Sequence, residues 1–318
     1  MKEIEVEAFL ESIDKGVSVP SLILGDDGNN YILKKEGNFN CSFINEVLSY
    51  KIAKFLDVPI CESAIAHLDK DLVDFDRNII FVHQFKEGIY FASQEEKNLI
   101  NNYMENSLQL KEMGKPYLER TWNDFFRKIH NKKDFAKIIA FDLFIANFDR
   151  FDHLDNFLVT NENDKNKFIV IDHGHAFFGP NWDTNKIAFL KGYSTQENFL
   201  VEIIKMYINL TPNASLGTIF KAIEPNIELE PLDNNDFTDV VNKIESINKE
   251  TILNMLDNIP EEWYVDKESQ IKYYTEFLLQ HKSNIRFIIQ QLANLQYFTN
   301  FKGGELEWIE TDKKQNIQ

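Results

Sequence analysis

An α+β fold in two parts is predicted by three observations: short apolar segments broken by Gly/Asp turns in the first 90 or so residues, helical periodicity over most of the rest, and one carboxylate-rich hairpin set among those helices. The first element is a hairpin. Leu22-Ile23-Leu24 and Tyr31-Ile32-Leu33-Lys34 flank Gly25-Asp26-Asp27-Gly28, a turn sequence between two apolar runs. A helix follows, because Phe43, Ile44, Val47, Leu48, Ile52, Ala53 and Leu56 recur at helical spacing; Ser42 can cap it and Asp57-Val58-Pro59 stops it. The apolar segments Ala64–Leu68 and Ile79–Phe85 are expected to complete a small sheet. From Ser93 onward the pattern turns helical, over 133–146, 197–209, 237–257 and 269–295, with prolines between later segments. The polar end, 310–318, is expected to fray.

Composition narrows the function classes. At 318 residues, with 43% hydrophobic and 27% charged, the chain can bury a large core. Against 51 acidic side chains there are 34 basic ones, a net charge of −17, which opposes binding to a phosphate backbone or an anionic membrane. Neither nucleic acid nor membrane is therefore an expected partner. The acidic N-terminus lacks signal-peptide character and no apolar run reaches membrane-spanning length, so a cytoplasmic location is expected. Two cysteines, Cys41 and Cys61, make no disulfide framework and no metal pattern.

The chemistry is concentrated between Ile145 and His175. Asn147-Phe148-Asp149-Arg150-Phe151-Asp152-His153-Leu154-Asp155-Asn156 reads as a loop leaving a helix. Two strands follow, the second ending in Ile169-Val170-Ile171-Asp172-His173-Gly174. A hairpin would bring Asp149, Asn156 and Asp172 to one end although they span 24 positions. An Asp closing an Ile-Val-Ile strand is costly to place unless something binds it. Oxygen donors of this kind suit Mg²⁺, which takes one or two carboxylates and completes its shell with water and phosphate. Phosphoryl transfer needs such ions, an acidic residue to orient the acceptor hydroxyl, and a cation on the nucleotide phosphates.

That cation is expected at Lys34, which ends the strand Tyr31–Leu33, with Glu46 of the following helix as its partner; Lys35 should face the other side. Gly16-Val17-Ser18-Val19-Pro20 is expected either to cover the phosphates, with Gly16 and Ser18 close to them, or to be an ordinary turn. Ser18 is also a candidate phosphosite. Phe81–Gly88 is placed where the two parts should join, with backbone near Gln84 and Phe85 expected to bind adenine. Strands with one helix, followed by a metal-binding hairpin embedded in helices, outline a two-lobed protein-kinase-like fold: a small strand-rich N-lobe over 1–90 and a mostly helical C-lobe over 91–318.

With Lys34, Glu46, Asp149-Arg150, His153-x-x-Asn156 and Ile171-Asp172-His173-Gly174-His175-Ala176-Phe177 in view, the chain resembles the bacterial HipA-like kinase family. It is most similar to the shorter branch that carries Ile-Asp-His-Gly-His-Ala-Phe. The motifs cover roughly residues 10–180, and Ile259-Pro260-Glu261-Glu262-Trp263 adds a further point. The resemblance implies ATP with Mg²⁺ and phosphorylation of a protein Ser or Thr, with an antitoxin-type partner. Carried over by residue, Asp149 would orient or deprotonate the acceptor, Asn156 and Asp172 would bind metal, Lys34 would contact the phosphates and Glu46 would position it. Arg150 would hold the loop through a carboxylate or an acceptor phosphate. One departure stands out: related loops read Asp-Arg-His-x-x-Asn, whereas Phe151-Asp152 here separates Arg150 from His153, so Asp152 competes with Asp149. A small-molecule acceptor on the same fold is the alternative, with a pseudokinase a third reading that the complete residue set opposes.

Overall fold

The computed structural model of the chain describes residues 1–13, 19–100, 113–114, 118–151, 153–191, 197–209 and 216–308. Five strands close a barrel in the order β1-β2-β3-β5-β4: β1 Lys2–Ser12, β2 Ser21–Gly25, β3 Asn30–Leu33, β4 Ser63–Leu68 and β5 Gly88–Gln94. The predicted hairpin is β2–β3, with Ile23 opposite Tyr31 and Gly28 in the left-handed region at φ 76°. The long first strand is not anticipated by the sequence reading. Its Glu3, Glu5 and Glu7 face solvent while Ile4 and Val6 face the barrel interior, so alternation is present but masked by the acidic residues. β1 runs parallel to β4, which closes the barrel without leaving an open edge.

Helix α1, Ser42–Phe55, lies between β3 and β4. Its N-cap is Cys41 rather than Ser42 and provides no side-chain cap; Glu36 instead accepts from Ser42 Oγ and the Phe43 amide, each at 3.3 Å. Ile79–Phe85 is not a strand. A short helix α2, Lys70–Phe75, is followed by α3, Asn78–Phe81, and a loop, and the sheet resumes only at β5. Asp76 explains the difference, since its carboxylate accepts from the Asn78 amide and turns the chain there.

Past the barrel the chain is helical: α4 Leu118–Arg127, α5 Phe135–Phe144, α6 Thr184–Leu190, α7 Glu197–Ile208, α8 Thr218–Ile223, α9 Thr238–Ser246, α10 Lys249–Leu256, α11 Lys267–His281 and α12 Ile285–Asn294. The periodic stretches 237–257 and 269–295 are each broken into two helices. Between α5 and α6 lies the hairpin β6, Phe157–Glu162, with β7, Lys165–Val170. Nearly every residue of α5 is buried, as expected for a helix at the centre of a bundle.

Two cores form. One fills the barrel around Ile4, Ile23, Tyr31, Leu33 and Phe85. The other runs through the helical part and includes Phe43, Ile44, Val47 and Leu48 of α1. Helix α1 is thus packed into the helical part while it sits beside the barrel; Phe43 lies against Trp263 at 5.0 Å between ring centroids.

Candidate active site

Hairpin β6–β7 sets the geometry. Phe157 pairs with Val170, so Asn156, just before β6, and Asp172, just after β7, emerge at the same end. Val170 also bridges to Ile60 and donates to the Pro59 carbonyl, which ties that end to the segment leading from α1 into β4. Asn156 Nδ2 donates to the Asp149 backbone oxygen at 3.0 Å and to its Oδ2 at 2.9 Å. Both contacts of Asn156 Nδ2 go to Asp149, whose Oδ1 lies 3.4 Å from His153 Nε2.

Lys34 follows β3 and reaches across to both parts of the molecule. Its Nζ lies 2.5 Å from Glu46 Oε1 and 3.2 Å from Asp172 Oδ1. Burial would lower the Lys34 pKa, but the Asp172 and Glu46 carboxylates outweigh it and hold the ammonium above its usual range. Glu46 is almost fully buried. Burial would raise its pKa; the Lys34 charge, with help from His173, holds it well below the ordinary carboxylate range. Lys35 turns away and lies over the Phe85 ring at 4.8 Å.

Arg150 is wholly buried and braces the loop from inside. Its Nε donates to Asp142 of α5 at 2.6 Å, and Nη1 donates to the carbonyls of Ile171, at 2.9 Å, and of Asn156. The expected choice between a carboxylate and an acceptor phosphate falls to the carboxylate, because the guanidinium has no route to solvent. Asn147 accepts from the Asp149 amide and donates to Asp142, so one buried carboxylate organises both ends of the loop.

Three residues were given no role of their own from the sequence. His173 is buried against Phe141, and its amide donates to Glu46 Oε2 at 3.1 Å. Burial, then the Arg150 charge, lowers its pKa. Asn45 and Lys186 are both buried and hold the segment after His173. Of the three, only His173 left a signal, as a neighbour of the strand-end Asp; Asn45 and Lys186 lie in ordinary helical contexts.

Other expectations fall elsewhere. Gln84 and Phe85 are not where the two parts join: Gln84 is exposed in the loop before β5 at φ 58°, and Phe85 is buried in the barrel core against Phe9 at 5.3 Å. The crossing comes after β5, where Leu99 bridges to Thr160 and Asn161 donates to the Asn98 carbonyl. The misplacement follows directly from taking 79–85 as the last strand. Gly16, Ser18 and Asp152 lie outside the described residues.

The donor set at the hairpin end is the Asp172 carboxylate, half exposed, and the Asn156 amide oxygen, with Asp149 adjacent. Among the described residues no cluster of three His, Cys, Asp or Glu side chains forms a protein-only metal cage. Few protein oxygens beside a solvent-open face is what suits Mg²⁺, which shares its shell with water and phosphate. Beside Asp149 a cavity of about 570 Å³ opens, lined by Phe148, His175, Phe178, Glu202 and Met206 among others. No helix among the described residues is long and apolar enough to cross a membrane.

Among solved structures, the Helicobacter pylori proinflammatory kinase CtkA is similar at a TM-score of 0.51 and 12% identity, over 90% of this chain and 98% of that one, which shows a kinase-like fold. HipA of Shewanella oneidensis MR-1, solved with HipB and operator DNA, is similar at a TM-score of 0.41 and 13% identity, over 87% of this chain and 65% of that one. No curated protein matches. The model of the HipA-like kinase family matches residues 6–191, more than half of the sequence, and the chain belongs to that family.

Proposed function

We propose that this kinase transfers the γ-phosphate of ATP, with Mg²⁺, to a Ser or Thr hydroxyl of a protein, and that the barrel with α1 and the helical part act as its two lobes. The observation that carries the reading is Lys34, held by Glu46 on one side and Asp172 on the other, with Asn156 and Asp149 at the same hairpin end. Lys34 would contact the nucleotide phosphates, and Glu46 would keep its ammonium in place. Asn156 Oδ1 and Asp172 would hold the metal, which when bound offsets the charge developing on the phosphates. In a protein of net charge −17 that offset matters, because the fold itself repels a nucleotide. Asp149 would orient the acceptor hydroxyl and receive its proton. The backbone of Glu96–Asn98, at the crossing, replaces Gln84 and Phe85 as the proposed contact for the base.

A second reading has an observation of its own. The cavity beside Asp149 falls within the size range of small-molecule sites, roughly 300–1,000 Å³. Phe148, Phe178 and Met206, with Asp149 beside them and Glu202 already paired to Lys205, would suit a small alcohol.

Incubation with γ-labelled ATP and Mg²⁺ separates these readings. Label on Ser or Thr of the chain or of an added protein fraction is the expected result; label confined to a small molecule would favour the second, and no turnover at all would remove both. In the same assay Asp149→Ala should lower the rate by about a hundredfold or more. Retained turnover in Asp149→Ala, with loss in Asp152→Ala, would transfer the acceptor role to Asp152.

A further inference from the structure

Helix α1 holds the loop after Asp172 at both ends, and only one of the two grips belongs to the site described above. At the near end Glu46 accepts from the His173 amide. At the far end the neighbouring residue, Asn45, donates to three carbonyls: Gly174 at 2.6 Å, Ala176 at 3.0 Å and Gly179 at 3.0 Å. Lys186 of α6 completes the grip, with Nζ 3.0 Å from Asn45 Oδ1 and 2.7 Å from the Gly179 carbonyl. Tyr274 of α11 donates to the same Asn45 oxygen at 2.7 Å, and Cys41 lies 3.0 Å from the Tyr274 hydroxyl. All of these side chains are buried.

An ammonium in this position is expensive. Lys186 meets amide and carbonyl oxygens and the face of the Tyr274 ring, 5.3 Å from Nζ, rather than a carboxylate at hydrogen-bond distance among the described residues, and a buried charge without a counter-ion costs stability unless such dipoles compensate. What the charge provides is attraction for carbonyls that would otherwise repel one another. Those carbonyls belong to a loop with an unfavourable backbone: Asp172, Phe177 and Phe178 take φ of 60°, 55° and 68°, left-handed values that non-glycine residues adopt at a cost. The strain is concentrated between Asp172 and α6, where the clasp sits.

The geometry points to Asn45 and Lys186 as positioning residues for phosphoryl transfer: their clasp on the Gly174, Ala176 and Gly179 carbonyls holds the Asp172 loop against α1, so that Asp172 and Glu46 face Lys34 together. The inference rests on the proposed role of Asp172 in holding metal. It differs from ordinary core packing in its consequence, because releasing the clasp moves a metal ligand relative to Lys34 while α5 and α11 stay packed.

Two variants and three readouts test it. Lys186→Met removes the cation, and Asn45→Asp keeps a partner for Lys186 while replacing the three N–H contacts with a carboxylate that repels the carbonyls. In hydrogen–deuterium exchange both should expose the amides of residues 173–179 at least about tenfold faster while α5 amides keep their protection. Both should also lower kcat by about a hundredfold, as a displaced reacting geometry does, and raise the Mg²⁺ concentration needed for half-maximal rate. Unchanged loop exchange in a folded Asn45→Asp protein would overturn the inference. So would exchange that rises equally throughout the molecule, or a kcat within twofold of the parent. Exchange needs no turnover, so failure of the clasp is distinguishable from failure of the proposed kinase reaction.

Discussion

Burial acts with opposite outcomes on the two lysines nearest the Asp172 loop. Lys34 faces two carboxylates and is held charged well beyond neutral pH, whereas Lys186 faces uncharged oxygens and burial pushes its pKa down to about 8. The contrast explains why one was legible in the sequence and the other was not. Lys34 ends an apolar strand and is followed by a helix with a Glu, a pattern with few alternatives; Lys186 and Asn45 acquire meaning only when three helices meet. His281 gives a residue-scale test of burial. It is fully buried, its Nε2 donates to the Leu143 carbonyl, and burial lowers its pKa to about 4. The folded state therefore refuses a proton that the unfolded chain takes up below its ordinary value of 6.5. Between pH 6.5 and 4 the unfolded state binds more protons, so stability falls as pH falls, by about 3 kcal/mol for this group. Urea titrations across that range should show a shallower acid loss in His281→Phe than in the parent; equal slopes would contradict the assignment. His83 and His173, also lowered, are present in both proteins and cancel in the difference.

At the scale of elements, the hairpin β6–β7 is the most informative unit. Its strands and their shared end were readable from two short apolar runs on either side of a polar turn, and pairing of Phe157 with Val170 brings Asn156 and Asp172 out at the same end. What holds the hairpin to the bundle was not readable. Asp142, the partner of Arg150, lies within a helix whose sequence looks simply apolar, and a single Asp in such a run gives no sign of its partner. Removing one member of a buried pair leaves the other uncompensated, at a cost of about 3–5 kcal/mol. Arg150→Met should therefore destabilise the protein by that order in denaturant unfolding, and the paired Arg150→Met/Asp142→Leu variant should recover part of the loss. A single variant as stable as the parent would show that the pair does not brace the loop. The misread segment 79–85 teaches a related lesson. An apolar run long enough for a strand became a short helix and loop because Asp76 turns the chain just before it, and the join between the two parts lies instead at the crossing after β5.

At the scale of the molecule, the central feature is that α1 belongs to the barrel by sequence and to the helical part by packing. Its outer face joins the larger core through Phe43, Val47 and Leu48, while Glu46 and Asn45 reach the loop after Asp172. The two parts are thereby joined at the place where Lys34 meets Asp172. Composition could reveal an acidic protein with little attraction for nucleic acid, and motif spacing could point to candidate residues for a phosphoryl-transfer site. Neither could show that one helix carries contacts to both. The account makes a demand on the whole assembly: nucleotide affinity must depend on metal, and that dependence must pass through Asn156 and Asp172. Calorimetric titration of ATP into the protein with and without Mg²⁺ measures this directly. The account predicts at least about tenfold tighter binding with Mg²⁺, a gain of about 1.4 kcal/mol or more, lost in both Asp172→Ala and Asn156→Ala. Equal ATP affinity with and without Mg²⁺, or a metal dependence that survives both substitutions, would contradict it.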